Sequence, residues 1–175
     1  MKNVCKIIAV LVLMVFFVNV VLADKESEQA KRPGVIYILV DRNITSALDD
    51  SNVKSRNQIA DWWEVDLVNV LTRRGGYEAK LIQKLDEFIA SPNSYLLTSK
   101  IVDYNAGSKA ARMIVGFGAG ACSMDLHNEL FGAGHKLIFA KNEHVASGRD
   151  WKYVARKHNE IILKEINQAL NPVGK

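Results

Sequence analysis

The fold of this chain depends on residues 107–130, which read GSKAARMIVGFGAGACSMDLHNEL. From Cys122 to Leu130, apolar and polar side chains alternate, and this period of two is typical of a strand with one buried face. The glycines of Gly116–Gly120 alternate at the same spacing, where one backbone must come close to another. We therefore predict an extended ribbon over residues 111–130, with a bend or bulge at the glycines.

Two further strands are predicted on either side of this ribbon, over Tyr95–Tyr104 and Lys136–Ser147. Asn105–Ser108 and Gly132–Gly134 have the composition of turns between antiparallel strands. The three long strands should therefore form a meander.

The residues before the meander predict a strand, a helix and a second strand. Val35–Val40 is an apolar run rich in β-branched residues, which is typical of a strand inside a sheet. Ser55–Gln58 has the spacing of a capping box, and apolar residues then recur at helical spacing until Gly75 and Gly76. Tyr77–Ile82 follows as a short strand.

Two helical segments complete the prediction. A helical turn is expected at Leu85–Ala90, and a long helix begins near Asp150 and ends before Asn171 and Pro172. Because strands and helices are largely segregated, we predict an α+β fold: one twisted, mixed, largely antiparallel β-sheet with two long helices packed on it.

The N-terminus has the layout of a secretory signal peptide. Lys2 and Lys6 precede an apolar run, and residues 1–23 end in Val-Leu-Ala before Asp24. An uncleaved membrane anchor is the alternative, but the run is shorter than the roughly 20 apolar residues of a spanning helix. We expect cleavage after Ala23 and export to the periplasm or cell envelope of a bacterium.

The predicted domain organisation follows from this cleavage. Residues 24–33 are polar and should form a flexible leader, residues 34–171 a single α+β domain, and residues 172–175 a tail. About 150 residues are enough for one domain that buries roughly 68–70% of its unfolded surface. A lipoprotein would carry cysteine at the position of Asp24, so lipid attachment is not expected there.

The charge of the chain argues against binding to nucleic acid. The formal net charge is +4, and two of the positive charges lie in the predicted signal peptide. The remainder is close to balanced, whereas a nucleic-acid reader usually presents a basic stripe and a high isoelectric point.

Cysteine and histidine do not form a recognisable reactive or metal-binding set. Cys122 and His127 lie five residues apart on one predicted strand, on opposite faces and about 17 Å apart, too far for a nucleophile and its base. None of the four histidines has zinc-ligand spacing. We expect Cys122 to be buried in the sheet and His158 to lie on the buried face of the last helix, with no metal or cofactor.

The predicted first long helix carries the other candidate site. Asp61, Glu64 and Asp66 surround Trp62 and Trp63, and tryptophan beside carboxylates occurs in sugar-binding and acid/base sites. The helical spacing places Trp63 in the core and predicts that Asp61 and Glu64 both face water. Trp62 remains near the surface as a candidate contact to a ligand or partner.

The glycine run does not match a phosphate-binding loop. A dinucleotide fingerprint needs G-x-G-x-x-G between a strand and a helix, and a P-loop ends in Gly-Lys-Ser/Thr. Residues 116–120 instead continue into the alternating strand, so the glycines are expected to serve packing.

The motif of an arginine, an apolar triplet and Gly-Phe-Gly-Ala-Gly, at Arg112–Gly120, resembles a bacterial family of unknown function. The resemblance covers about residues 34–170. It implies an exported envelope protein, since many members are lipoproteins, and it brings no catalytic residues. A looser likeness of fold outline links such domains to the periplasmic part of the curli secretion lipoprotein and to the amino-terminal domain of the Tol translocation protein.

These observations predict a non-catalytic binding or assembly module of the bacterial envelope, with an envelope protein as its partner. An exposed sheet edge and the patch around Trp62 are the expected contact surfaces. The alternative is a small hydrolase using Cys122 or the acidic residues near Asp61, and self-association is a third possibility. The candidate binding residues are Trp62, Arg112, Gly116, Phe117, Gly118 and Gly120.

Overall fold

The structure is a computed structural model that describes residues 34–107 and 120–171. Five strands form one open mixed sheet in the order β2-β1-β3-β4-β5. The strands are β1 (Val35–Asp41), β2 (Glu78–Ile82), β3 (Ser94–Asn105), β4 (Cys122–Phe131) and β5 (Leu137–Ser147), and the helices are α1 (Asp50–Arg73) and α2 (Trp151–Leu170). The predicted α+β fold with two long helices on a mixed sheet is confirmed.

One half of the sheet is parallel and the other is antiparallel. β1 lies between β2 and β3 and is parallel to both, with Ile38 opposite Leu81 on one side and Leu97 on the other. β3, β4 and β5 then form the predicted antiparallel meander. The short connection between β4 and β5 includes a 3₁₀ turn at Ala133–His135.

The main core lies between the sheet and the two helices. Side chains of β1, β3 and β4 meet the apolar stripes of α1 and α2, and its largest fully buried members include Trp63, Ile38, Leu97, Met124 and Ile162. A smaller apolar cluster on the opposite face contains Tyr37, Ile82 and Leu96, and Phe88 packs edge-to-face on Tyr37. β1 is therefore covered on both faces, as its apolar run predicts.

An aspartate directly before each helix caps its first turn. The Asp49 side chain accepts a hydrogen bond from the Asn52 amide at 2.7 Å, and the Asp150 side chain accepts one from Tyr153 at 2.9 Å. The helix start predicted at Ser55–Gln58 is wrong, because α1 begins at Asp50. Asp49 satisfies one otherwise unpaired amide of the first turn, that of Asn52, before the Ser55 motif is reached.

The first predicted turn of the meander is also wrong in its register. A tight turn at Asn105–Ser108 would pair the end of β3 with residues near Ala111, but Asn105 pairs with Ser123 instead. Gly120 is a turn residue and Ala121 is outside any strand, so β4 begins at Cys122. The part of the predicted ribbon over residues 111–119 lies outside the described residues.

The alternation within β4 is confirmed along its whole length. Buried and half-buried residues alternate from Cys122 to Phe131. In the described ranges, neither helix is long and apolar enough to cross a membrane.

Candidate binding surface

Two tryptophans from different helices meet at the surface of the protein. The rings of Trp62 on α1 and Trp151 on α2 are edge-to-face, with centroids 5.9 Å apart. Both side chains are half-buried. The sequence-predicted position of Trp62 near the surface is therefore confirmed, and its neighbour comes from a part of the chain 89 residues away by number.

Cationic side chains of α2 cover both rings of this pair. The Arg156 guanidinium lies 5.7 Å from the centre of the Trp62 ring, and the Lys152 ammonium lies 5.5 Å from that of Trp151. Both cations are exposed. We call these four residues, Trp62, Trp151, Lys152 and Arg156, the tryptophan patch.

Buried polar contacts hold the two helices together beside this patch. The Asn159 side-chain amide donates to the Trp63 carbonyl at 3.3 Å and to the Asp66 carboxylate at 2.8 Å. Asp66 is therefore engaged in holding α2 to α1. Because these contacts set the relative position of the helices, they also set the geometry of the tryptophan patch.

Asp61 and Glu64 are engaged by an arginine that follows β1. Arg42 donates to both carboxylate oxygens of Glu64 at 2.9 and 3.0 Å, to Asn57 at 3.1 Å, and lies 2.7 Å from Asp61. The prediction that Glu64 faces water is wrong, since its exposed fraction is 9%. The side chain turns inward because α1 packs over the end of β1 and offers it this partner.

The pKa values of both partners in this ion pair depend on their burial and on each other's charge. Removal from water raises the pKa of the Glu64 carboxyl, although the adjoining Arg42 charge lowers it in part. Burial acts to lower the pKa of Arg42, but the charges of Glu64 and Asp61 outweigh it and raise the value. The arrangement has the character of a structural ion pair that joins β1 to α1.

A second arginine, Arg56 on α1, donates hydrogen bonds to backbone carbonyls of neighbouring segments. Arg56 is 5% exposed, and its guanidinium donates to the carbonyls of Arg42, Asn43 and Ile101 at 3.1–3.3 Å. Arg56 therefore provides hydrogen-bond donors to backbone carbonyls just after β1 and next to the register shift in β3 at Ile101–Asp103. Sequence reasoning missed both arginines, because charged residues at these positions give no periodic signal.

The glycine run is described only at its two ends. Gly107 and Gly120 have φ values of 72° and 69°, and a Cβ at Gly107 would lie 2.5 Å from the Gly120 carbonyl oxygen. Gly107 and Gly120 therefore form a close backbone contact that requires glycine at position 107. Four predicted site residues, Arg112, Gly116, Phe117 and Gly118, lie outside the described residues.

Cys122 and His127 lie on opposite faces of β4, as predicted. Cys122 is fully buried on the side that faces the helices, whereas His127 contacts Asn142 and Glu129 on the other side. Tyr104, at the end of β3, lies near the thiol. Burial raises the pKa of its hydroxyl, and the nearby Cys122 raises it further. The full burial of Cys122 fits the packing role predicted for it.

His158 is buried on α2, as the helical spacing predicts, and it contacts a carboxylate of β5. Its Nε2 atom donates to the Met124 carbonyl at 2.9 Å, and its Nδ1 atom lies 3.5 Å from Glu143 Oε2. The Nδ1 and Oε2 atoms are both buried, and neither has a hydrogen-bond partner within the described residues.

The sheet face opposite the helices carries histidine and acidic side chains in separate pairs. His144 contacts Asp125, while His127 contacts Glu129 and Asn142. Across residues 34–107 and 120–171, no three cysteine, histidine or acidic side chains are placed to hold one metal ion.

A search of curated proteins finds no match to this chain. A family model described as a domain of unknown function, DUF4410, matches residues 24–149. This match covers the sheet and α1, and it ends just before α2. With most of its length matched, the chain belongs to the DUF4410 family.

Proposed function

We infer that this protein is a non-catalytic binding or assembly module of the bacterial cell envelope, and that it holds a protein partner at the tryptophan patch. The observation that carries this proposal is the meeting of Trp62 and Trp151 from two helices at the surface, with Arg156 and Lys152 against their rings.

Tryptophan and arginine are the residue types most enriched at the energetic centres of protein interfaces. A half-buried indole offers a large apolar area at a low cost in conformational entropy, because most of its rotamers are already restricted. The Asn159 contacts hold both helices in place, so the surface is organised before a partner arrives.

The charge of the patch indicates the chemistry of the partner. Lys152 and Arg156 belong to a group of basic residues near the start of α2, which also includes Arg149 and Lys157. A partner with an acidic segment that carries an apolar or aromatic side chain would complement both the cations and the rings. We expect a protein partner because the overall charge gives no basic stripe for nucleic acid.

The envelope location is supported by the N-terminal sequence and by the resemblance to exported proteins. Residues 1–23 have the layout of a signal peptide, and Asp24 stands where a lipoprotein would carry cysteine. The looser likeness to periplasmic assembly domains favours the same location. Cell fractionation and mass measurement test this: a chain beginning at Asp24 in the periplasmic fraction is expected, a full-length chain in the inner membrane would contradict cleavage, and a chain in the cytoplasm would contradict export.

The hydrolase alternative has weaker support. Cys122 is fully buried, and Asp61 and Glu64 are both engaged by Arg42. An acid/base pair needs carboxylates that reach a substrate, whereas Glu64 is directed into the protein. These contacts favour structural roles for the three residues.

Site-specific photo-crosslinking tests the proposed surface. A photoreactive amino acid at position 62 is compared with one at Val65, which lies on the same helix with 59% exposure. We expect one envelope protein to be captured from position 62 and not from position 65, and Arg156→Glu to weaken the capture. Equal capture of the same proteins from both positions would contradict the proposal.

A further inference from the structure

β5 forms one end of the sheet and presents a long edge. It runs over Leu137–Ser147 and pairs with β4 on one side, and its other side has no strand partner within the described ranges. Phe139 and Val145 are only half-buried there, although both pack against the main core. Such an edge offers unpaired backbone groups to another strand.

The sequence of β5 is self-complementary about Asn142. An antiparallel copy centred on this residue places Lys141 opposite Glu143 and Phe139 opposite Val145. Opposite charges, and an aromatic with a β-branched side chain, are the cross-strand pairs that stabilise antiparallel sheets. We propose that two copies of this protein form a dimer by antiparallel pairing of their β5 strands about Asn142.

Shifting the centre of the strand pairing by one residue in either direction removes this complementarity. Centring the pair on Lys141 places two lysines opposite each other, and centring it on Glu143 does the same with two glutamates. Like charges directly opposite each other are destabilising. Lysine on an edge strand normally opposes pairing, and in this dimer Lys141 is matched by the Glu143 carboxylate of the second copy.

The position of α2 is compatible with this dimer. His158 reaches Met124 on β4 and Glu143 on β5, so the helix lies above these two strands. The two-fold axis is perpendicular to the sheet and keeps both helices on the same face. Because adjacent strands are about 4.8 Å apart, the two copies of α2 lie roughly 10 Å apart, a distance at which helices pack.

Side-chain contacts place the middle of α2 near the same axis. Lys141 contacts Glu165 and Glu143 contacts His158, so the residues between 158 and 165 lie above Asn142. Ile161 is in this interval and is half-buried. The dimer brings the two Ile161 side chains toward each other and covers apolar area that is open in the single chain.

The dimer also gives Lys141 a second acidic neighbour. Within one copy, Lys141 contacts Glu165. Pairing about Asn142 places the Glu143 carboxylate of the second copy beside the same lysine. The Lys141 ammonium then has two carboxylates as neighbours.

Disulfide crosslinking tests the register directly. Asn142→Cys places two thiols opposite each other, while Ala140→Cys, an exposed residue of the same strand and face, leaves its two copies about 14 Å apart. In a Cys5→Ser background, mild oxidation should crosslink the first variant at least about tenfold faster than the second. Equal rates, or no crosslinked dimer from Asn142→Cys, would overturn the proposal.

Charge reversal provides a test that does not depend on oxidation. Lys141→Glu and Glu143→Lys should each weaken the dimer about tenfold or more, because two symmetric pairs become repulsive at once. A mixture of these two variants should recover dimers, since every Glu then faces a Lys. Sedimentation over a range of concentrations measures this, and circular dichroism checks that each variant is folded.

The proposal is independent of the tryptophan patch. Arg156→Glu should leave the sedimentation behaviour unchanged, whereas the β5 variants should leave crosslinking from position 62 unchanged. A wild-type protein that stays monomeric at all concentrations, or a mixture of the charge variants that does not recover dimers, would contradict pairing through β5.

Discussion

Arg42 and Glu64 form a two-point contact in which the guanidinium lies 2.9 and 3.0 Å from the two carboxylate oxygens. Arg42 follows β1 and Glu64 lies in the middle of α1, so this pair joins the sheet to the helix that carries Trp62. The geometry of the candidate surface therefore depends on a contact that lies outside it.

Removing only the arginine should destabilise the fold. Arg42→Met leaves the buried Glu64 carboxylate without its donors, and we expect the free energy of unfolding to fall by about 1.5–3 kcal/mol. The double variant Arg42→Met/Glu64→Met should recover part of this loss, because no buried charge then remains. Urea unfolding measures both.

A matched control is available on the same helix. Arg73→Met removes an exposed arginine in the last turn of α1 and should change the stability by no more than about 0.5 kcal/mol. If both arginine variants cost the same, the Arg42 contact has no special role.

The stability of the protein should show a pH dependence that comes from Glu64. Burial raises the pKa of this carboxyl above its ordinary value of 4.5, so folding favours the protonated form. Its favourable contribution is complete below the unfolded pKa and is lost as the pH rises through the folded pKa. The free energy of unfolding of wild type, relative to Glu64→Gln, should therefore fall between acid and neutral pH.

Urea titrations of the two proteins at several pH values measure this difference. The substitution leaves all other titrating groups in place, so the difference isolates Glu64. A difference that rises with pH would mean that the ion pair with Arg42 outweighs burial.

Gly107 should tolerate substitution less well than another glycine with the same backbone conformation. Gly107→Ala brings a Cβ to 2.5 Å from the Gly120 carbonyl, whereas Gly134 has a similar positive φ and no atom within 4 Å of its Cβ position. Gly134→Ala should cost roughly 1 kcal/mol for the left-handed conformation. Gly107→Ala should cost at least about 1 kcal/mol more, because of the added clash, and thermal unfolding compares them.

Cys122 should react with thiol reagents only when the protein opens. The residue is fully buried on the inner face of β4, so modification in a Cys5→Ser variant should follow the unfolding equilibrium and accelerate with urea. Rapid labelling of the folded protein at neutral pH would contradict the packing role and favour the hydrolase alternative.

The periodic spacing of apolar residues correctly predicted which faces of β4 and α2 are buried. The alternation in β4 places Cys122 and His127 on opposite faces, and the helical spacing of α2 buries His158, as the structure confirms. Such patterns report only which side of an element is buried. The start of α1 was wrong because two capping signals lie close together, and the sequence alone does not rank Asp49 against Ser55.

The candidate surface could be predicted only in part. Trp62 was identified as a large aromatic residue outside the helical stripe, but its partner Trp151 belongs to a different helix, 89 residues further along the chain. The inward position of Glu64 was missed because its partner, Arg42, belongs to a different element.

The amino-acid sequence by itself determined the type and order of the long helices and strands and the buried faces of β4 and α2, because these properties depend on residues a few positions apart. Only the tertiary structure decided the strand order β2-β1-β3-β4-β5, the pairing of Arg42 with Glu64, and the meeting of Trp62 with Trp151. The strand order arises because the chain passes from β2 to β3, on the other side of β1, and the two side-chain pairs join different elements. They depend on contacts between distant segments, which local spacing does not encode.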